Sequence, residues 1–156
     1  MSKDNIYLLT KNSITMGRMG NTFGSQTVSA GHARKVWREA KDQFPAGGVV
    51  ENLSDWTTGG VGKIPAGTFC KWYDAGANGG KKVVCYTAAQ IKAASGNPAS
   101  LGINGATLYD IDIEAGDTKG SATVIYAGEY YDFMVDADVL AIVKGLATLS
   151  EIKFVS

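Results

Sequence analysis

A chain of 156 residues has the length of one domain and can bury roughly 70% of the surface its unfolded form exposes, so neither a disulfide nor a metal is needed for stability. Its 15 Lys+Arg balance 15 Asp+Glu and neither sign gathers into a block, which disfavours nucleic acid as a partner, because that binding needs clustered cations to displace counterions. The 20 Gly against 3 Pro fit many tight turns between short strands better than a disordered, Pro-rich chain.

From the N-terminus, residues 1–28 hold one apolar run, Ile6-Tyr7-Leu8-Leu9, and a polar stretch with Gly17, Gly20 and Gly24. They predict an extended arm with a strand near Ile6 to Thr10: either a frayed terminus or an arm that adds a strand to a partner's sheet edge. The run is too short for a secretory h-region and no stretch approaches a membrane span, so synthesis in a cytoplasm and no membrane partner are expected. Residues 29–44 predict the best helix. Ser29 caps it, and Ala33, Val36/Trp37, Ala40 and Phe44 share one face. Pro45 and Gly47-Gly48 end it. Trp37 and Phe44 would dock on the main domain or on a neighbouring subunit. A loop follows to residue 60, anchored by Val49, Val50 and Trp56.

From residue 61 the pattern changes to short strands. Pro65-Ala66-Gly67 turns into a strand over Thr68 to Tyr73, Asp74 to Lys81 forms a hairpin loop, and Lys82 to Thr87 returns. A symmetric loop places Cys70 opposite Cys85, with Cβ atoms ~4.5–5.5 Å apart, within reach of a strained disulfide. In a reducing cytoplasm the expectation is two apposed free thiols packed as small hydrophobes, and a one-residue slip would separate them. Ala88 to Ala94 predicts a brief helical turn. Leu108 to Glu114 predicts a strand with Tyr109, Ile111 and Ile113 on one face and Asp110, Asp112 and Glu114 on the other. Ala115 to Gly120 turns, Ser121 to Ala127 returns, and Gly128 to Tyr131 leads away. Asp136 caps a helix carrying Val139, Leu140, Ile142, Val143 and Leu146, and Glu151 to Val155 is a closing strand. The expected class is β-rich α+β: a small antiparallel sandwich or partly open barrel with a short helix before the last strand, plus the N-terminal arm (1–28), a helix and connecting loop (29–60) and the main domain (61–156).

No set of residues announces catalysis. His32 is the lone histidine and sits beside Arg34 in the predicted helix. Two Cys and one His do not make a zinc site. The run Gly59 to Lys63 lacks the first Gly and the hydroxyl of a phosphate loop, because Thr57 and Ile64 hold those positions. The acidic row Asp110, Asp112 and Glu114 offers too few converging oxygens for a hard cation and reads as a wet strand face, or one that meets Lys or Arg of a partner. Among the aromatics, Tyr130 and Tyr131 beside Asp132 are candidates for exposure. A binding or assembly protein with no catalytic residues, cofactor or metal is the expectation.

The order Ala106-Thr-Leu-Tyr-Asp-Ile-Asp-Ile-Glu-Ala-Gly-Asp117, Gly120-Ser-Ala-Thr-Val-Ile-Tyr-Ala-Gly-Glu129, a short Leu/Ala helix and terminal Ile152-Lys-Phe-Val155 is similar to small head decoration and head-fibre base proteins of tailed bacteriophages. Ile64-Pro-Ala-Gly-Thr-Phe69 and Lys82-Val-Val84 resemble the hairpin that opens such domains. The likeness covers about residues 61 to 156 and is one of pattern rather than of invariant motifs. It implies a non-enzymatic protein on the outside of the icosahedral head, commonly a trimer at local threefold axes, that clamps adjacent major capsid protein subunits after the shell expands. The N-terminal arm and the helix before the last strand would be contact elements. On that reading Ile6, Tyr7, Leu8, Leu9, Trp37 and Phe44 mediate capsid or intersubunit contacts. The chain lacks the Pro-Ala-Gly stretch often found before the closing helix and carries an extra segment, Ser29 to Val61. The rival expectation is a carbohydrate- or host-surface-binding β module, stacking sugars on Tyr130, Tyr131 and Trp56 with Asp110, Asp112 and Glu114 near a calcium ion.

Overall fold

The computed structural model describes residues 35–156, and Lys35–Ser156 forms one compact unit. The expectations placed on Ile6, Tyr7, Leu8, Leu9, Ser29 and His32 lie outside the described residues. Among the described residues, eleven strands and two short helices make the fold β-rich α+β, with one curled half-barrel sheet and a small second sheet, as the sequence pattern predicts.

In chain order the strands are β1 (Trp37–Gln43), β2 (Gly48–Val50), β3 (Thr57–Thr58), β4 (Val61–Ile64), β5 (Phe69–Asp74), β6 (Lys81–Cys85), β7 (Gly105–Thr107), β8 (Ile111–Ile113), β9 (Ser121–Ala122), β10 (Val124–Tyr131) and β11 (Ile152–Val155). Helix α1 is Ala88–Ala93 and α2 is Ala137–Val143. The large sheet runs β9-β2-β6-β5-β7-β10-β11, with β1 also paired to β10, and the small sheet runs β3-β4-β8. Most pairings are antiparallel, but β2 with β6 and β10 with β11 are parallel.

Side chains alternate across a strand, and here both faces of the large sheet are covered. Phe69, Ala106, Ile125 and Tyr130 point to one side, where Ile91 of α1 and Val139 and Val143 of α2 close a core with Ile152. Cys70, Val83, Cys85 and Val124 point to the other, where Leu53, Ile64 and Ile113 lie over them. Both helices are capped as their sequences dictate. Thr87 and Gln90 form a reciprocal capping box on α1, and the Asp136 carboxylate accepts from the amide of Asp138 at the start of α2.

Three local expectations are corrected. The segment Trp37–Gln43 is not helical; it is a strand antiparallel to β10, from Tyr130↔Trp37 to Ile125↔Gln43, with register shifts along the way. A strand can bring Trp37 inward and leave the charged residues outward without help from the 3.6-residue period, and pairing with β10 outweighs local helix propensity. Gly128 admits this approach, since a Cβ there would collide with the Glu39 carbonyl.

Of the predicted strand Leu108 to Glu114 only Ile111–Ile113 (β8) is extended; a bend at Leu108 and Tyr109 separates it from β7, which ends at Thr107 and belongs to the other sheet. The returning strand accordingly pairs with β7, through Val124↔Thr107 and Ile125↔Ala106. Finally, Gly128 to Tyr131 does not lead away but continues β10, and Tyr130 is buried.

Candidate interaction surface

The expected contact residues Trp37 and Phe44 are occupied within the chain. Trp37 is buried, donates its indole N–H to the Thr107 carbonyl at 2.9 Å and meets Tyr130 edge-on at 5.1 Å between ring centroids. Phe44 is half-buried and stacks on Trp72 with centroids 4.3 Å apart and planes 3° from parallel. Trp72 in turn donates to the Gly47 carbonyl at 2.7 Å. These contacts fasten the two ends of β1 to β7 and β5 and turn both aromatics away from a partner.

Between those anchors β1 is polar and open. Arg38, Glu39, Lys41 and Asp42 are exposed, and among the described residues the strand pairs with β10 alone. Arg38 reaches Glu129 at 3.4 Å, a solvated pair worth little stability. Mixed charges and bulges along a free edge are how sheets avoid indiscriminate strand addition.

Of the acidic row only Asp112 lies within β8. Asp110, just before β8, accepts from the Ala66 amide at 2.7 Å, and Lys63 on β4 lies 3.8 Å from both Asp110 and Asp112. The cation that meets these carboxylates therefore comes from the same chain, placed by the register Lys63↔Asp112. Glu114 sits beyond the strand and its amide donates to Asp117. Among the described residues no three His, Cys, Asp or Glu side chains converge as metal ligands. The Gly59-Gly60 pair, at φ 65° and 86°, forms the two-residue turn joining β3 to β4, the geometry of a tight hairpin turn rather than a phosphate cradle.

Among the described residues the large apolar side chains left open are Tyr109, Phe133 and Val61, at 64%, 67% and 54% exposure. Phe133, in the 3-10 turn Asp132–Met134 after β10, lies against half-buried Tyr131 at 5.1 Å. Sequence reasoning proposed Tyr130 and Tyr131 together for exposure. The strand alternation of β10 sends Tyr130 inward, where its hydroxyl donates to Gly67 at 2.7 Å, and leaves Tyr131 and Phe133 outside. Tyr109 and Phe133 were missed because each stands beside residues that read as core. The signal that could have found them is the turn on which each sits.

Several polar groups are shaped by neighbours. The Asp74 carboxyl is held below its ordinary range by Lys81 and by the Gly76 amide. Asp136 is lowered by the amide of Asp138 and then by Lys92. Tyr73 is raised because its hydroxyl donates to the Glu51 carboxylate, at 2.8 Å from each oxygen. Tyr73 and Asp74 lie at the end of β5, whereas Asp136 joins the start of α2 to Lys92 of α1. No helix among the described residues is long and apolar enough to cross a membrane. Comparison of the chain with family models, with curated proteins and with solved structures finds no match.

Proposed function

We propose that this protein is a structural component of a tailed-bacteriophage virion that binds the outer surface of the assembled capsid and stabilises contacts between major capsid protein subunits. One observation carries the reading. Parts of the segments on which the resemblance rests, Ala106-Thr107 in β7, Val124–Glu129 in β10, the helix α2 and Ile152–Val155 in β11, are neighbours in the large sheet and its covering helix, while Ile111–Ile113 of the same stretch lies in the small sheet. Their adjacency supports reading them together.

The two core clusters are filled by side chains from both sheets and both helices. A rigid body of that kind suits a part that must hold its shape while repeated many times on a shell, where modest affinity per copy adds up through multivalent contact. The protein would act as a homo-oligomer, as a trimer at local threefold positions, on the capsid exterior after assembly in the host cytoplasm. The candidate contacts are the charged edge of β1, the exposed Tyr109 and Phe133, and residues 1–28. The carbohydrate-binding alternative loses one of its stacking residues, since Tyr130 is in the core, and its acidic row is shared between Lys63 and the Ala66 amide.

Sedimentation tests the proposal. The purified chain should co-sediment with expanded, undecorated heads and not with unassembled capsid subunits. Equal binding to both, or to neither, would end it.

A further inference from the structure

Strands β5 and β6 set Cys70 directly opposite Cys85. In an antiparallel ladder, hydrogen-bonded and non-hydrogen-bonded pairs alternate. The next pair out is Phe69 with Tyr86, and the Tyr86 amide donates to the Phe69 carbonyl at 3.0 Å. Cys70 and Cys85 are therefore a non-hydrogen-bonded pair. The outward main-chain bonds agree. The Cys70 carbonyl accepts from the Asn104 amide at 3.0 Å, while Cys85 N–H and C=O are taken by the Asn52 side chain at 3.0 and 2.6 Å.

At such positions Cα atoms stand about 4.5 Å apart and side chains lean toward each other. A disulfide tolerates Cα separations of roughly 4.4–6.8 Å. The two thiols are free and fully buried. Their surroundings, Val50, Leu53, Val83 and Val124, are apolar, so joining the sulfurs strands no polar partner.

We propose that Cys70 and Cys85 are an oxidisable pair that closes into a cross-strand disulfide when the folded protein meets a disulfide oxidant such as glutathione disulfide. Two S–H bonds break and one S–S bond forms in the protein. The two electrons and two protons pass to glutathione disulfide, whose own S–S bond is cleaved to two thiols. The exchange runs through a mixed disulfide on one of the two cysteines. Burial pushes the Cys70 thiol well above its ordinary value, so attack waits on local opening at the strand end where Asn52 and Trp56 cover Cys85. The result is a hairpin that is reduced in a thiol-rich cytoplasm and locked after release into an oxidising medium. This inference rests on strand register alone and stands or falls separately from the capsid reading.

The test incubates the full chain under native conditions with glutathione disulfide, then maps peptides without reduction. The expected result is a peptide joining Cys70 to Cys85, an intact mass lower by two hydrogens, reversal by dithiothreitol and a melting midpoint raised by several degrees. Cys70→Ala and Cys85→Ala should each abolish the link. The same oxidation of the natural sequence in urea is the comparison that requires no variant to fold. If the native protein keeps both thiols free, or gathers only glutathione adducts or links between chains, while the unfolded chain forms the bond, the proposal is overturned.

Discussion

The indole of Trp37 donates to the carbonyl of Thr107 across 70 positions of sequence, at 2.9 Å and out of contact with water. That bond holds the first residue of β1 on β7, and the same carbonyl also accepts from the Gly67 amide. Trp37→Ala should cost about 3–5 kcal/mol, as expected for emptying a buried aromatic site. Trp37→Phe keeps most of the volume and leaves Thr107 one donor, so it should cost about 1 kcal/mol. Urea unfolding of the two variants checks this; a loss under ~0.5 kcal/mol for Trp37→Ala would place the side chain on the surface.

Gly128 lets β1 approach β10, and a methyl there would press on the Glu39 carbonyl. Gly128→Ala should destabilise by about 1–3 kcal/mol. Amide exchange should show protection lost first at residues 37–43, with α2 and β6 still protected. A uniform loss across the sheet would show that β1 is not a separable margin.

Asn52 behaves as an extra strand partner for Cys85, accepting from its N–H and donating to its C=O. Asn52→Ala leaves the amide of a buried residue without that acceptor, and should cost about 1–3 kcal/mol. Asn104 makes the same paired contact with Trp72 and should behave alike. Chemical denaturation of both single variants and of the double variant would show near-additive losses, since the two residues clasp different strands.

Phe154 on β11 is half-buried, with ring centroids 5.4 Å from Tyr130 and 6.2 Å from Phe69. Phe154→Ala should therefore cost about 2–3 kcal/mol, below the 3–5 kcal/mol of a sealed site. A loss under ~1 kcal/mol, measured by urea unfolding, would mean β11 contributes little to the aromatic cluster.

Asp74 and Asp136 are both held below the ordinary 3.8 by their hydrogen-bond donors. A carboxyl lowered in the folded state stabilises the fold above its unfolded value, and that contribution is lost as pH falls through the lower, folded value. The melting midpoint should accordingly fall between about pH 5 and about pH 2. The double variant Asp74→Asn, Asp136→Asn should flatten that part of the profile while lowering the plateau above it.

Much of the second half of the chain was legible because its signals are local. Loop symmetry about Ala77-Asn78 placed Cys70 against Cys85, and the register found is that one. Asp136 before an apolar run marked the start of α2, and Ala88 to Ala94 predicts the helical turn that α1 is. Trp37–Gln43 was misread because its apolar residues at i, i+3 and i+7 satisfy a helix, and only the open side of β10 makes the strand better. The acidic row is cut short for a similar reason: the small sheet takes only Ile111–Ile113, which leaves Asp110 before the strand and Glu114 after it.

What the amino-acid order determined by itself was the hairpin of β5 and β6, the closing strand β11 and the cap of α2, because each depends on contacts within a few residues. Tertiary structure alone decided that Tyr130 lies inside while Phe133 lies outside, that Lys63 meets Asp110 and Asp112, and that β1 joins the large sheet. Those outcomes follow from which distant strand supplies the neighbouring hydrogen bonds and apolar surface, and no window of local sequence contains that choice.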